Sequence, residues 1–141
     1  MPSWKKVLAF VQFLWEEKAE DVVVIALEDD DRAIADFFIV ASVTSDTHAR
    51  ALTESLARFA RTERYGRARI EESKNAAWTV LDFGDVVVHL FLPKIRAFYR
   101  IERIYEHAPF FYLKDRSELQ PMTLQEVLRL PSLSIEPTAM A

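Results

Sequence analysis

Trp78-Thr-Val-Leu-Asp82, Phe83-Gly-Asp85 and Val86-Val-Val-His-Leu-Phe91 form the stretch on which the fold reading turns. Two runs rich in β-branched and aromatic residues flank a three-residue turn, and Gly84 supplies the positive φ that such a turn needs, so the segment reads as a β-hairpin. Upstream, Val22-Val-Val-Ile-Ala-Leu27 and Phe37-Phe-Ile-Val-Ala-Ser-Val43 read as two more strands, and residues 68–72 as a weaker one. Helices separate them. Ser45 is placed to cap a helix to about residue 64, with Ala49, Leu52, Leu56, Phe59 and Ala60 as its apolar stripe. Pro93 opens another to about residue 106, with Ala97, Phe98, Ile101, Ile104 and Tyr105 expected inside and Arg96, Arg100 and Arg103 outside.

The two ends need separate decisions. Trp4, Val7, Leu8, Val11, Leu14 and Trp15 fall at helical spacing behind Ser3. Glu16, Glu17, Glu20 and Asp21 follow at once with no small-residue cleavage site, so this is an amphipathic helix rather than a secretory signal. The run is also too short to cross a bilayer, and a cytoplasmic protein without membrane attachment is expected. After Pro109 prolines accumulate. Thr123-Leu-Gln-Glu126 forms a capping box ahead of one short helix, and fraying is expected beyond about Pro131. Strands interleaved with helices in one short chain give an α/β class: a single domain with a mixed sheet of about five strands flanked by helices. The expected division is a domain over 1–109 and a C-terminal extension over 110–141.

Composition narrows the chemistry. Half of the 141 residues are apolar and 28% are charged, which is a globular balance. The absence of cysteine excludes disulfides and thiolate metal sites. Eighteen basic against 22 acidic residues, net −4, argue against a broadly basic nucleic-acid coat. His48, His89 and His107 lie in three different elements without ligand spacing, so no metal is expected. Ser42 and Ser45 have histidines and aspartates elsewhere in the chain but no glycine-built elbow, which removes a nucleophilic triad. Two glycines cannot build a phosphate-cradling loop, so no nucleotide cofactor is expected either.

Charge and aromatic clustering leave three surfaces. Residues 16–36 hold nine acids and two bases, with Glu28-Asp-Asp-Asp31 as a solvated loop. Residues 50–74 hold seven bases against four acids, a pattern that suits RNA phosphates or ordinary solvated helix faces. The hairpin sets Asp82 and Asp85 on either side of its turn, near Trp78 and a helix bearing Tyr99 and Glu102. Rings beside carboxylates suit a protein-docking surface. The same stretch reads equally as core packing plus a polar turn.

Three segments resemble the ribosomal silencing factor family, also called Iojap. Asp36-Phe-Phe-Ile-Val-Ala-Ser-Val-Thr-Ser-Asp-Thr-His48, Ala77-Trp-Thr-Val-Leu-Asp-Phe-Gly-Asp-Val-Val-Val-His89 and Arg96-Ala-Phe-Tyr-Arg-Ile-Glu102 are similar to its motifs in order and spacing, over roughly residues 18–108. Val43 and Glu72 stand where the family usually has glycine, and Tyr105 where it usually has tryptophan. The resemblance implies a fold similar to the nucleotidyltransferases without their catalytic motifs. A working enzyme of that fold would want Gly-Ser at a helix start and paired carboxylates on the next strand, where this chain has Thr44-Ser45 and Arg69-Ile-Glu71.

The resemblance also implies a non-enzymatic translation repressor. It would bind the large ribosomal subunit through ribosomal protein fourteen, block joining of the small subunit, and slow protein synthesis when nutrients are scarce. Trp78, Asp82, Asp85, Tyr99 and Glu102 are the expected partner contacts. Asp36, Ser45, His48, Gly84 and His89 are the expected supports, and Arg61, Arg64 and Arg67 the residues that would approach rRNA. Two competing readings are a nucleotidyltransferase-like enzyme and an RNA-binding module. Homodimerisation through the hairpin or the following helix is compatible with the main one.

Overall fold

The computed structural model describes residues 3–31 and 33–135. At its centre β2 (Phe37–Ser42) and β5 (Val86–Phe91) run parallel, paired from Phe37↔Val86 to Ser42↔Phe91 in unbroken register. Both strands are buried throughout, as near-continuous apolar runs require when layers cover both faces. Every other pairing is antiparallel. On one side lie β4 (Trp78–Asp82) and β3 (Arg69–Glu72), and on the other β1 (Glu20–Ala26), β6 (Phe110–Lys114) and β7 (Glu118–Met122). The order is β3-β4-β5-β2-β1-β6-β7.

Alternation along the central strands feeds two cores. Ile39, Ala41, Val88 and Leu90 pack with α1 (Trp4–Glu16) and α2 (Asp46–Thr62). Val40, Val87 and Phe91 face the opposite layer, built from α3 (Pro93–Tyr99), α4 (Ile101–Ile104), α5 (Leu124–Leu128) and a 3-10 turn over Pro131–Leu133. In α1, Val7, Phe10, Val11 and Leu14 are wholly buried. Trp15, expected inside, is half-exposed under the Arg116 guanidinium, 4.2 Å from its ring centre. Ser45 caps α2 by accepting from the His48 N–H at 3.0 Å.

Two larger departures from the sequence reading concern the sheet and the helix after β5. The sheet has seven strands rather than about five, and β6 and β7 carry it past the boundary expected at residue 109. Their hairpin turns through Asp115 and Arg116, both left-handed (φ 53° and 62°), with the Ser117 N–H donating to Lys114 O at 3.1 Å. Such a turn normally announces itself with glycine or asparagine, and here it does not. Pro121 is tolerated because β7 is the outermost strand. The expected capping box does open α5, and Ser132 and Leu133 are buried in their 3-10 turn rather than frayed. Residues 136–141, also expected to fray, lie outside the described residues.

The second departure is the helix over 93–106, which breaks at Arg100 in left-handed conformation (φ 46°, ψ 56°). Helical periodicity counted through that residue fails beyond it. Arg96, expected outside, is completely buried, while Phe98 and Ile104, expected inside, are 58% and 69% exposed. At the two positions where glycine is usual in the family, Val43 is buried and Glu72 pairs with Arg50 at 3.1 Å. Neither has left-handed backbone, so a side chain is accommodated at both.

Candidate functional site

Trp78 and Val80 of β4 point to the α3–α4 side of the sheet, and Leu81 to the other. There the Trp78 ring lies 4.7 Å from Phe91 and 4.9 Å from Tyr99, and the Phe98 ring meets Tyr99 edge-on at 5.1 Å. Trp78, Tyr99 and Phe98 thus make a continuous ladder that runs from half-buried to exposed. Tyr99 is 49% exposed, and Ile104 stands out from the same segment. Rigid rings gathered at a surface bury large area at small entropic cost, the composition of a contact surface.

His89 anchors the inner end of the ladder. Its Nδ1 accepts the Trp78 indole N–H at 3.1 Å, which assigns the ring proton to Nε2. The Phe38 ring stands 4.6 Å from it, edge-on. Burial drives the His89 pKa down to about 4, with the Asp82 carboxylate opposing the shift only in part, so the imidazole is neutral near pH 7.

Beneath the ladder lies a buried ionic chain. Glu102, expected as a partner-binding carboxylate, is completely buried and takes the Arg96 Nε–H at 2.8 Å. Arg96 Nη1 donates to Ser42 Oγ at 3.0 Å, Ser42 donates to Ser132 Oγ at 2.7 Å, and Ser132 donates to the Asp21 carboxylate at 2.6 Å. Residues six apart do not face each other on a regular helix, so only the kink at Arg100 brings Arg96 and Glu102 together. Glu102 therefore leaves the docking set. Its bond to Arg96 spans the kink that ends α3 directly after Phe98 and Tyr99.

Asp85, 35% exposed, already has partners within the chain. Its carboxylate takes the Ser3 hydroxyl and, at 2.7 Å, the Lys6 ammonium, both from the start of α1. Burial pushes its pKa up, but the Lys6 and Ser3 bonds outweigh that and hold it below the usual carboxylate value. The Asp85 carbonyl accepts from the Asp36 and Phe37 N–H groups at 2.8 and 3.1 Å, so this residue pins α1, the hairpin and β2 together. Asp36 enters that junction through its backbone. Asp82 is half-buried and accepts the Gly84 N–H at 2.8 Å across the turn. Gly84 has φ 89° with open space where a Cβ would sit, so its requirement is conformational.

His48 joins the other end of α1 to the start of α2, donating from Nε2 to Glu17 O at 2.9 Å and accepting the Thr44 N–H at Nδ1 at 3.1 Å. Arg61, Arg64 and Arg67 are exposed at the end of α2 and just beyond it. Among the described residues, no three His, Asp or Glu side chains gather where they would hold a metal ion, and no helix is long and apolar enough to cross a membrane. Of the expected partner contacts, the structure brings together Trp78 and Tyr99, and leaves Asp82 at the other end of β4, where its charge acts on His89. It adds Phe98 and Ile104, which periodicity had assigned to the core and which no local sequence signal would have moved to the surface.

Residues 2–130 match the family described as ribosomal silencing factor during starvation. The chain is 34% identical over 94 residues to the ribosomal silencing factor RsfS of Halalkalibacterium halodurans, covering 67% of this chain and 80% of that one. It is 32% identical over 100 residues to a Mus musculus protein named mitochondrial assembly of ribosomal large subunit protein 1, covering 67% of this chain but only 42% of the mouse protein. A crystal structure from Bacillus halodurans superposes with a TM-score of 0.60 at 30% identity, over 72% of this chain and 94% of that one.

Proposed function

We propose that this chain, which belongs to the ribosomal silencing factor family, silences by docking on ribosomal protein fourteen of the large subunit and blocking the arrival of the small one. Family membership supplies the ribosome as partner. The observation that carries the docking reading is the Trp78–Tyr99–Phe98 ladder, half-buried at Trp78 and exposed at Tyr99 and Phe98, set against the sheet beside the kink that the buried Arg96–Glu102 pair spans. Such a surface docks by inserting rings into a complementary apolar hollow, and the charged rim sets the rate of encounter. Arg61, Arg64 and Arg67, exposed at the end of α2 on the other face of the sheet, would then contact rRNA away from the protein interface. Repression is steric and needs no bond to be made or broken.

A sucrose-gradient reassociation assay with purified subunits tests the reading. The chain is expected to travel with the large subunit and to keep the subunits apart. Phe98→Ala/Tyr99→Ala, at two exposed positions, is expected to lose about 30-fold or more in affinity, the effect of removing a hot spot worth about 2 kcal/mol. Unchanged co-sedimentation of a folded double variant would refute the ladder as the docking surface.

A further inference from the structure

We propose that the crevice beyond the carboxyl ends of β2 and β5 binds a small phosphorylated metabolite with an aromatic body, of the mononucleotide class, and that Lys74 and Lys94 hold its phosphate. The topology makes the crevice. β2 and β5 are adjacent and parallel, yet α2 leaves β2 for one face of the sheet and α3 leaves β5 for the other. Chains that diverge in this way leave a gap just past the strand ends, which is where open α/β sheets take their ligands.

Among the described residues the gap is present, with a volume of about 630 Å³, within the size range of small-molecule sites. Its walls come from the segments that the topology brings there: Thr44 after β2, Leu92 and Lys94 after β5, and the turn at Lys74 and Asn75 before β4. The strand ends are fixed to one another, Val43 donating to Phe91 O at 2.8 Å and Leu92 to Ala77 O at 3.0 Å. The turn that carries Lys74 holds Asn75 and Ala76 in successive left-handed conformations (φ 60° and 54°), which L side chains resist.

Charge and polarity then select the ligand. The described lining contains two lysines and no carboxylate, in a chain whose net charge is −4. Neither lysine takes part in an ion pair among the described residues. Thr44 and Asn75 add a hydroxyl and an amide, and Leu92 and Ile135 are among the apolar groups that make up the rest of the wall. Inorganic phosphate would answer the ammoniums and leave the apolar wall bare. A neutral aromatic would do the reverse, whereas a mononucleotide meets both. Because the lysines are exposed, the affinity is salt-sensitive.

The test is calorimetric titration of the full chain with AMP, ADP and GDP at fixed ionic strength, beside adenosine and inorganic phosphate. At least one nucleotide is expected to saturate and to raise the melting temperature by linkage. Adenosine and phosphate are each expected to bind about tenfold more weakly or worse. Lys74→Gln/Lys94→Gln is expected to cost about tenfold or more in affinity at an unchanged urea midpoint, and the single exposed reversal Lys94→Glu to do the same. Three results overturn the proposal: no saturation by any of the three nucleotides at about 1 mM, phosphate alone binding as tightly as a nucleotide, or the lysine variants binding like the parent. Binding of a short single-stranded RNA where all three nucleotides fail also overturns it. Ribosome binding does not enter this readout, so the crevice and the docking ladder stand or fall separately.

Discussion

Lowering the pH from 7 to 4 is expected to strip about 3 kcal/mol of stability from this fold through one side chain, His89. Its pKa falls from an ordinary 6.5 to about 4 in the folded chain, because burial against Phe38, Trp78 and Phe91 disfavours the imidazolium and Asp82 restores only part of the loss. Each unit of separation is worth about 1.4 kcal/mol. Between those two values the unfolded chain binds the proton and the folded one does not, so protonation favours unfolding. Stability is complete above about pH 7, about 2 kcal/mol has gone by pH 5, and about 3 by pH 4. Asp85 does not interfere in this window. Its folded pKa is depressed from 3.8, so its contribution is present above that value and fades only below it. Urea titrations at pH 7 and 5, followed by tryptophan fluorescence, measure the loss. His89→Gln removes the titrating group, and although it is less stable at pH 7, it is expected to lose about 2 kcal/mol less than the parent between the two pH values. Equal losses in parent and variant would sink the assignment.

Other perturbations have equally direct outcomes. Arg96→Met strands the Glu102 charge in the core and is expected to cost about 3–5 kcal/mol in urea unfolding, whereas Arg96→Met/Glu102→Leu recovers most of it. Asp85→Lys sets a second cation against Lys6 in place of its carboxylate partner and is expected to loosen α1, read as faster amide exchange in residues 4–16. Asp85→Ala is milder, about 1 kcal/mol after discounting for a side chain that is 35% exposed. Ser45→Ala removes the α2 cap and is expected to cost about 1 kcal/mol by thermal unfolding.

The sequence showed the centre of this molecule better than its rims. β4 and β5 were readable because Trp78–Asp82 and Val86–Phe91 combine strand-forming residues with a glycine turn, and α2 because its serine cap and apolar stripe agree. Where the chain turns without glycine the signal vanished. The described residues include eight non-glycine positions with positive φ, among them Arg100, Asp115 and Arg116, and each of these three hid something. Asp115 and Arg116 concealed the hairpin that adds β6 and β7. Arg100 concealed the kink, and with it the exchange of Phe98 and Ile104 for Arg96 and Glu102. Of the expected docking residues, Trp78 and Tyr99 were singled out by type, as rings near a turn, and the structure shows the two rings in contact. Glu102 was expected outside and Asp85 unpaired because a carboxylate's position in the sequence does not show the cation that the fold brings to it.

The burial of Glu102 bears on how the proposed docking surface is made. A buried Arg–Glu pair gains little over well-packed apolar residues, since desolvation consumes most of the attraction. Its use here is geometric. The Arg96 Nε–H and Glu102 Oε2 meet only if the chain kinks between them, and the kink follows directly on Phe98 and Tyr99. A methionine and a leucine in their places would fill the volume without demanding that bend, leaving the segment free to continue as a regular helix and carry Phe98 back toward the core. Stability and docking should therefore separate in Arg96→Met/Glu102→Leu: a urea midpoint near the parent's, with co-sedimentation on the large subunit lost. Were both retained, the outward set of the rings would owe nothing to the ion pair, and its cause would lie in the turn at Arg100 itself.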